Sequence, residues 1–142
     1  MTIERHLTKD ARLENLKELR DFVVETCQEC GGDAEVCDSL ELAVDEACTN
    51  VVLHGYDGLE PGPIALSFTC DGREAVVTIA DHGRPFSLDD IPAPDLDGPW
   101  ETRRIGGLGW YLIRKTMDGI ELQAGADRGN RLTLRKRLHP DV

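Results

Sequence analysis

The sequence predicts an α+β fold in which a sheet of antiparallel hairpins adjoins two helices. Three observations predict it. Apolar residues ahead of residue 55 recur at three- and four-residue steps, as on the core-facing side of a helix. Two apolar runs, Ile64 to Cys70 and Ala75 to Ala80, flank the turn Asp71-Gly72-Arg73, the signature of a hairpin. A second strand pair surrounds Asp127-Arg128-Gly129-Asn130 near the end of the chain. The 142 residues suit one core, so a single domain over residues 1–142 is expected.

In chain order, Ile3 to Leu7 reads as a short first strand. Ala11 to about Cys30 is helical by periodicity, with Leu16, Leu19, Val23, Cys27 and Cys30 forming one stripe, and Gly31-Gly32 ends it. Asp33 then stands where it can cap a second helix. That helix runs to about His54 along the stripe Val36, Leu40, Ala43, Ala47 and Val51. The stretch Asp57-Gly58-Leu59-Glu60-Pro61-Gly62-Pro63 forces a loop before the hairpin. Residues 82 to about 105 contain Pro85, Pro92, Pro94 and Pro99 and few regularly spaced apolar side chains, which predicts a long cover over a site. Trp110 to about Met117 reads as a helix, and Ile120 to Ala124 with Arg131 to Leu138 as the closing hairpin.

Composition narrows the function classes. Sixteen Lys plus Arg against 27 Asp plus Glu leave a net charge of -11, which argues against a nucleic-acid footprint and against anionic membrane surfaces. No apolar run approaches the roughly 20 residues of a membrane span, and Met1 to His6 has no signal-peptide core, so the expected compartment is the cytoplasm. Five cysteines without paired framework spacing predict reduced thiols, with Cys27 and Cys30 as small core hydrophobes rather than zinc or redox ligands.

Three motifs carry chemistry. Glu46, Asn50 and His54 recur every four residues along one edge of the second helix, beside its apolar stripe. A carboxylate and a carboxamide there need partners or water, and an edge that simply reaches solvent would look the same. Asp81-His82-Gly83-Arg84-Pro85-Phe86 follows an apolar strand; an acid at a strand end followed by glycine can aim into a cleft, although Asp and Gly also make ordinary turns. Gly106-Gly107-Leu108-Gly109 runs into a helix, where exposed N–H groups suit phosphate oxygens, although such a cluster can also be a hinge. A P-loop and the protein-kinase glycine loop with its catalytic-loop set are absent.

In this order the motifs resemble the N, G1 and G2 boxes of the GHKL (Bergerat-fold) ATPases. More narrowly, Glu46-Ala47-Cys48-Thr49-Asn50 with His54 and Tyr56, and Asp81-x-Gly83-x-Pro85-Phe86, are similar to the anti-sigma-factor serine/threonine kinases of bacteria, over essentially the whole chain. The resemblance implies a two-layer α/β sandwich, with a mixed, mostly antiparallel sheet covered on one face by helices and an ATP lid over about 82–106. It implies ATP and Mg2+ as cofactors, with Asn50 as the metal ligand and Glu46 as the base that deprotonates a partner's hydroxyl. Asp81 would accept a hydrogen bond from the adenine amino group, and Gly83 would let the base approach. Gly107, Leu108 and Gly109 would shape the lid at the phosphates, with Arg103 or Arg104 adding positive charge. Superfamily members commonly have Thr where Asn130 stands, and Asn130 is expected to serve near the adenine instead. Trp110 occupies a place where a smaller aliphatic residue is usual.

The activity implied is that of a protein serine/threonine kinase and anti-sigma factor in a partner-switching module. Its partners would be a sigma factor and a STAS-domain antagonist that it phosphorylates, and such relatives commonly form homodimers. The alternative is a nucleotide-dependent switch that holds a partner without phosphorylating it. A detached histidine-kinase catalytic domain fits less well, because no phosphoacceptor helix precedes the motifs and the context of Glu46 and His54 favours the serine-kinase branch.

Overall fold

A computed structural model describes residues 2–85, 105–125 and 129–139 of the chain. The first strand, β1 (Ile3–Asp10), is longer than expected, because it pairs with the second strand along its full length, from Ile3 opposite Cys70 to Asp10 opposite Pro63. That pairing displaces the start of the first helix. The chain turns at Asp10, whose carbonyl accepts the Arg12 N–H and the Asn15 side-chain amide. After a 3-10 turn (Leu13–Asn15), α1 runs over Leu16–Glu29 rather than from Ala11.

The second helix, α2 (Ala34–Asn50), passes directly into a π turn over Val51–Gly55. Asp33 occupies the N-cap with extended backbone but makes no side-chain cap bond; its carboxylate meets His139 Nδ1 at 3.0 Å instead. The hairpin follows as β2 (Pro63–Cys70) and β3 (Glu74–Asp81), with the Asp71 carboxylate accepting the Arg73 and Glu74 N–H groups across its turn. Next come α3 (Ile105–Thr116), β4 (Gly119–Gly125) and β5 (Gly129–Arg137).

The strands lie in the order β1-β2-β3-β5-β4. All four pairings are antiparallel, where the resemblance implies a mixed, mostly antiparallel sheet. Alternation along β2 and β3 sends Ile64, Leu66, Phe68, Ala75, Val77 and Ile79 to one buried face. The helices cover that face. Leu19 and Val23 of α1, Leu40, Ala43 and Val44 of α2 and Ile113 of α3 are wholly buried in the same core. An ion pair from Arg20 to Asp45 (3.0 Å) links α1 to α2 at the surface.

The expectation of five reduced thiols is overturned for two of them. Cys30, at the end of α1, forms a disulfide with Cys70, at the end of β2. The stripe that carries Cys27 into the core leaves Cys30 only half-buried over the sheet, beside the inward-facing Cys70. The two cysteines are 40 residues apart in sequence, and nothing in their local spacing announces the contact. Cys27, Cys37 and Cys48 are buried free thiols. Burial raises the pKa of Cys27, with a hydrogen bond to Cys37 as the second cause. Burial likewise pushes the Cys48 thiol up to about 12. Among the described residues no helix is long and apolar enough to cross a membrane.

Candidate functional site

A cavity of about 320 Å³ opens between α2, the π turn, β3, α3 and the closing hairpin. Its apolar walls are Ala47, Val51, Ile79, Trp110, Leu122 and Leu132, and its polar groups are Asn50, His54, Asp81, Arg84 and Asn130. Each polar group has a structural reason for its place.

Asp81 ends β3 on the buried side of the alternation and is 6% exposed. Its Oδ1 accepts the Gly83 N–H at 2.8 Å and the Asn130 side-chain amide at 3.1 Å. No described residue donates to Oδ2. The Asn130 amide nitrogen also donates to the Arg84 carbonyl at 2.7 Å. Asn130 stands opposite Asp81 in the ladder, and Gly129 beside it has φ +72°. A Cβ on Gly129 would lie 2.0 Å from the Asp81 carbonyl oxygen, so this close approach of β5 to β3 needs glycine.

Gly83 is explained by packing. A Cβ there would stand 2.4 Å from the Gly55 carbonyl oxygen, which also accepts the Arg84 N–H at 2.7 Å. The segment after β3 is thus laid against the π turn. Tyr56, whose sequence signal was only its place in the motif, proves to join the same parts. Its hydroxyl donates to the Pro63 carbonyl and accepts the His82 N–H, both at 2.8 Å. Burial raises the pKa of that hydroxyl, the His82 N–H opposes the rise, and the charge of Asp81 adds to it.

The ladder along α2 divides in the structure. Asn50 and the exposed His54 line the cavity, whereas Glu46, one helical turn earlier, stands outside its lining. Glu46 is half-buried, and desolvation raises its pKa, with Asp45 as the second cause. A carboxylate held in this way binds a proton more tightly than a solvated one. Among the described residues no group of three His, Cys, Asp or Glu side chains could hold a metal ion.

The backbone of Gly106, Gly107, Leu108 and Gly109 is helical, since α3 begins at Ile105 rather than at Trp110. Trp110 itself is buried and forms part of the cavity wall, so the larger side chain at this place is accommodated by packing. Arg103, Arg104 and the predicted lid from Phe86 onward lie outside the described residues.

Comparison with known proteins yields a family match, three relatives and a solved structure. Residues 10–136 match the family described as the histidine kinase-like ATPase domain. A serine-protein kinase RsbW from Halalkalibacterium halodurans is 33% identical over 144 residues, covering 99% of this chain and 85% of that protein. One from Listeria monocytogenes is 35% identical over 96 residues, which span 65% of this chain and only 61% of that relative. An anti-sigma F factor from Clostridium botulinum is 30% identical over 70% of each chain. Among solved structures, the RsbU and RsbW domains of a Mycobacterium tuberculosis protein superpose with a TM-score of 0.68 at 20% identity, covering 96% of this chain and 32% of that one. At that identity the likeness concerns the fold.

Proposed function

The chain belongs to the histidine kinase-like ATPase domain family, on the branch of the RsbW proteins, and on that premise we propose that it is an ATP-dependent protein serine/threonine kinase and anti-sigma factor. The observation that carries the reading is the placement of Glu46 one helical turn from Asn50, which lines the same cavity as Asp81.

The donor set fits a nucleotide. Asp81 has one carboxylate oxygen engaged by Gly83 and Asn130, which leaves the other to accept the adenine amino group. That polarity favours adenine over guanine, whose carbonyl at the same place would meet a carboxylate without a proton. The apolar walls suit the faces of a purine ring.

Mg2+ also fits. Asn50 supplies one hard side-chain oxygen, and Mg2+ typically takes its remaining ligands from water and phosphates. When bound, the ion neutralises charge on the transferring phosphoryl group. Glu46 then takes the proton from the partner's serine or threonine hydroxyl as its oxygen attacks the γ-phosphorus and ADP leaves. The helical glycines at the start of α3, each costing about 1 kcal/mol relative to alanine, support a first turn that unwinds readily to present N–H groups to the phosphates.

The partners in this reading are a sigma factor, which the protein holds inactive, and a STAS-domain antagonist, which it phosphorylates. The reading puts its work in the cytoplasm, and its assembly is taken as the homodimer common among such kinases. The deciding experiment incubates the protein with labelled ATP, Mg2+ and a STAS-domain protein encoded in the same genome neighbourhood. Label should pass to the partner, and Glu46→Gln should abolish the transfer while ATP still binds. A parent protein that binds ATP and the partner yet transfers no label would instead be a nucleotide-dependent switch.

A further inference from the structure

Helix α2 has a second functional face, which borders the one that lines the cavity. Leu42 and Leu53 are 40% and 51% exposed, and they bracket Glu46 along the helix. At 100° per residue, Leu42, Glu46 and Thr49 fall within an arc of about 60°, and Leu53 follows them in the π turn. The helix carries Glu35, Asp38, Glu41, Asp45 and Glu46 and neither Lys nor Arg. One of these acids, Asp45, is met by Arg20 of α1. A base for phosphoryl transfer thus sits between two exposed leucines on a strongly acidic surface.

We propose that this face docks the acceptor segment of the phosphorylated protein: an extended stretch with its hydroxyl residue over Glu46, an aliphatic residue on either side, and a basic residue near Asp38. The proposal rests on the kinase reading and adds to it the chemistry of the segment that is read. Spacing sets the register. Leu42 lies about 6 Å before Glu46 along the helix axis, at about 1.5 Å rise per residue, and Leu53 lies beyond Glu46 in the π turn. An extended chain advances about 3.3 Å per residue, so one aliphatic residue falls roughly two positions to one side of the hydroxyl and the other on its far side. The acids favour a basic neighbour and disfavour an acidic one. Thr49, half-buried between the two leucines, presents a hydroxyl in the middle of the path.

The test measures phosphorylation of the same STAS-domain protein by the parent, Leu42→Ser, Leu53→Ser and Asp38→Lys. Leu13→Ser, at a leucine 63% exposed on the 3-10 turn away from this face, is the control. Each α2 leucine variant should raise the KM for the protein acceptor about tenfold, leaving kcat and the affinity for ATP unchanged. Asp38→Lys should raise the same KM and flatten its salt dependence, and Leu13→Ser should change nothing. Parent-like KM values in both leucine variants, with transfer intact, overturn the docking proposal and leave the kinase reading standing. Absence of transfer by the parent removes both. Loss of a dimer in sedimentation of Leu42→Ser or Leu53→Ser would make this face a contact between two copies of the chain, which also overturns the proposal.

Discussion

Gly83→Ala tests the claim that the site is framed by a backbone-to-backbone approach. A methyl group there would sit 2.4 Å from the Gly55 carbonyl oxygen and 2.7 Å from its carbon, so the π turn and the segment after β3 must separate by about 0.6 Å to relieve even the closest clash. Such overpacking costs about 1–3 kcal/mol. The Arg84 N–H to Gly55 carbonyl bond, 2.7 Å long, is stretched by the same movement, adding about 0.5–1.5 kcal/mol. Because Gly83 does not have a positive φ, alanine also restricts the unfolded chain and returns about 0.4–1 kcal/mol. The net loss is about 0.5–4 kcal/mol, a drop in Tm of roughly 2–12 °C for a chain of this size. Differential scanning calorimetry reads it directly, with Gly125→Ala as the control, since a Cβ at Gly125 meets nothing within 4 Å. The same displacement carries Asp81 Oδ1 away from the Gly83 N–H, so titration with Mg·ATP should show weaker binding at a temperature where both proteins are folded. A Gly83→Ala protein that melts with the parent and binds ATP as tightly refutes the reasoning.

Further predictions concern the other groups around the cavity. Asp81→Asn retains an oxygen for the Gly83 and Asn130 donors but loses an acceptor for the adenine amino group; calorimetry should show ATP affinity falling at least about tenfold with Tm little changed. Tyr56→Phe removes a donor to Pro63 and an acceptor for His82, which should lower stability by about 1–3 kcal/mol in urea unfolding. Reducing the Cys30–Cys70 bond, which closes a loop of 40 residues, should lower stability by about 2–4 kcal/mol, read from urea curves with and without reductant. Glu46 has a raised pKa in the folded protein, so the native state holds its proton to higher pH than the unfolded chain does. Stability from this group therefore falls as pH rises from the ordinary carboxylate range through the raised value. Glu46→Gln should be more stable than the parent at pH 7, the difference vanishing below about pH 4, while the parent's phosphoryl transfer rises over the same interval.

Much of the fold is legible in the sequence because alternation and helical periodicity report burial directly. The hairpin of β2 and β3 is the clearest case: its turn, its strands and its inward residues follow from a period of two. Boundaries are less legible, since they depend on partners elsewhere. β1 extends to Asp10 because β2 reaches Pro63, and α1 starts late for the same reason. The start of α3 was hidden by Gly106, Gly107 and Gly109, whose low helix propensity gives no sign that the helix begins at Ile105. Asn50 was legible as a candidate because a carboxamide beside an apolar stripe needs an explanation, and Asp81 because an acid ends an apolar strand just ahead of a glycine; both line the cavity. The pairing of Asp81 with Asn130 was not, because it depends on the register of β3 against β5.

The ladder of Glu46, Asn50 and His54 shows why a sequence spacing and a functional geometry can diverge. A step of four keeps side chains on one edge only while the helix stays α. Between Asn50 and His54 the chain enters a π turn, whose wider i→i+5 bonding re-aims the residues that follow. The turn also brings the Gly55 carbonyl against Gly83 and Arg84. Features that weaken local structure thus gather around one cavity: a π turn, glycines in the first turn of α3 and a strand approach that tolerates no Cβ, with a carboxylate partly stripped of water one helical turn from the lining residue Asn50. Each is unfavourable for folding alone. On the proposed function their convergence would serve a ligand with a purine and a phosphate chain, met by an acceptor at Asp81, an oxygen at Asn50 and a base at Glu46.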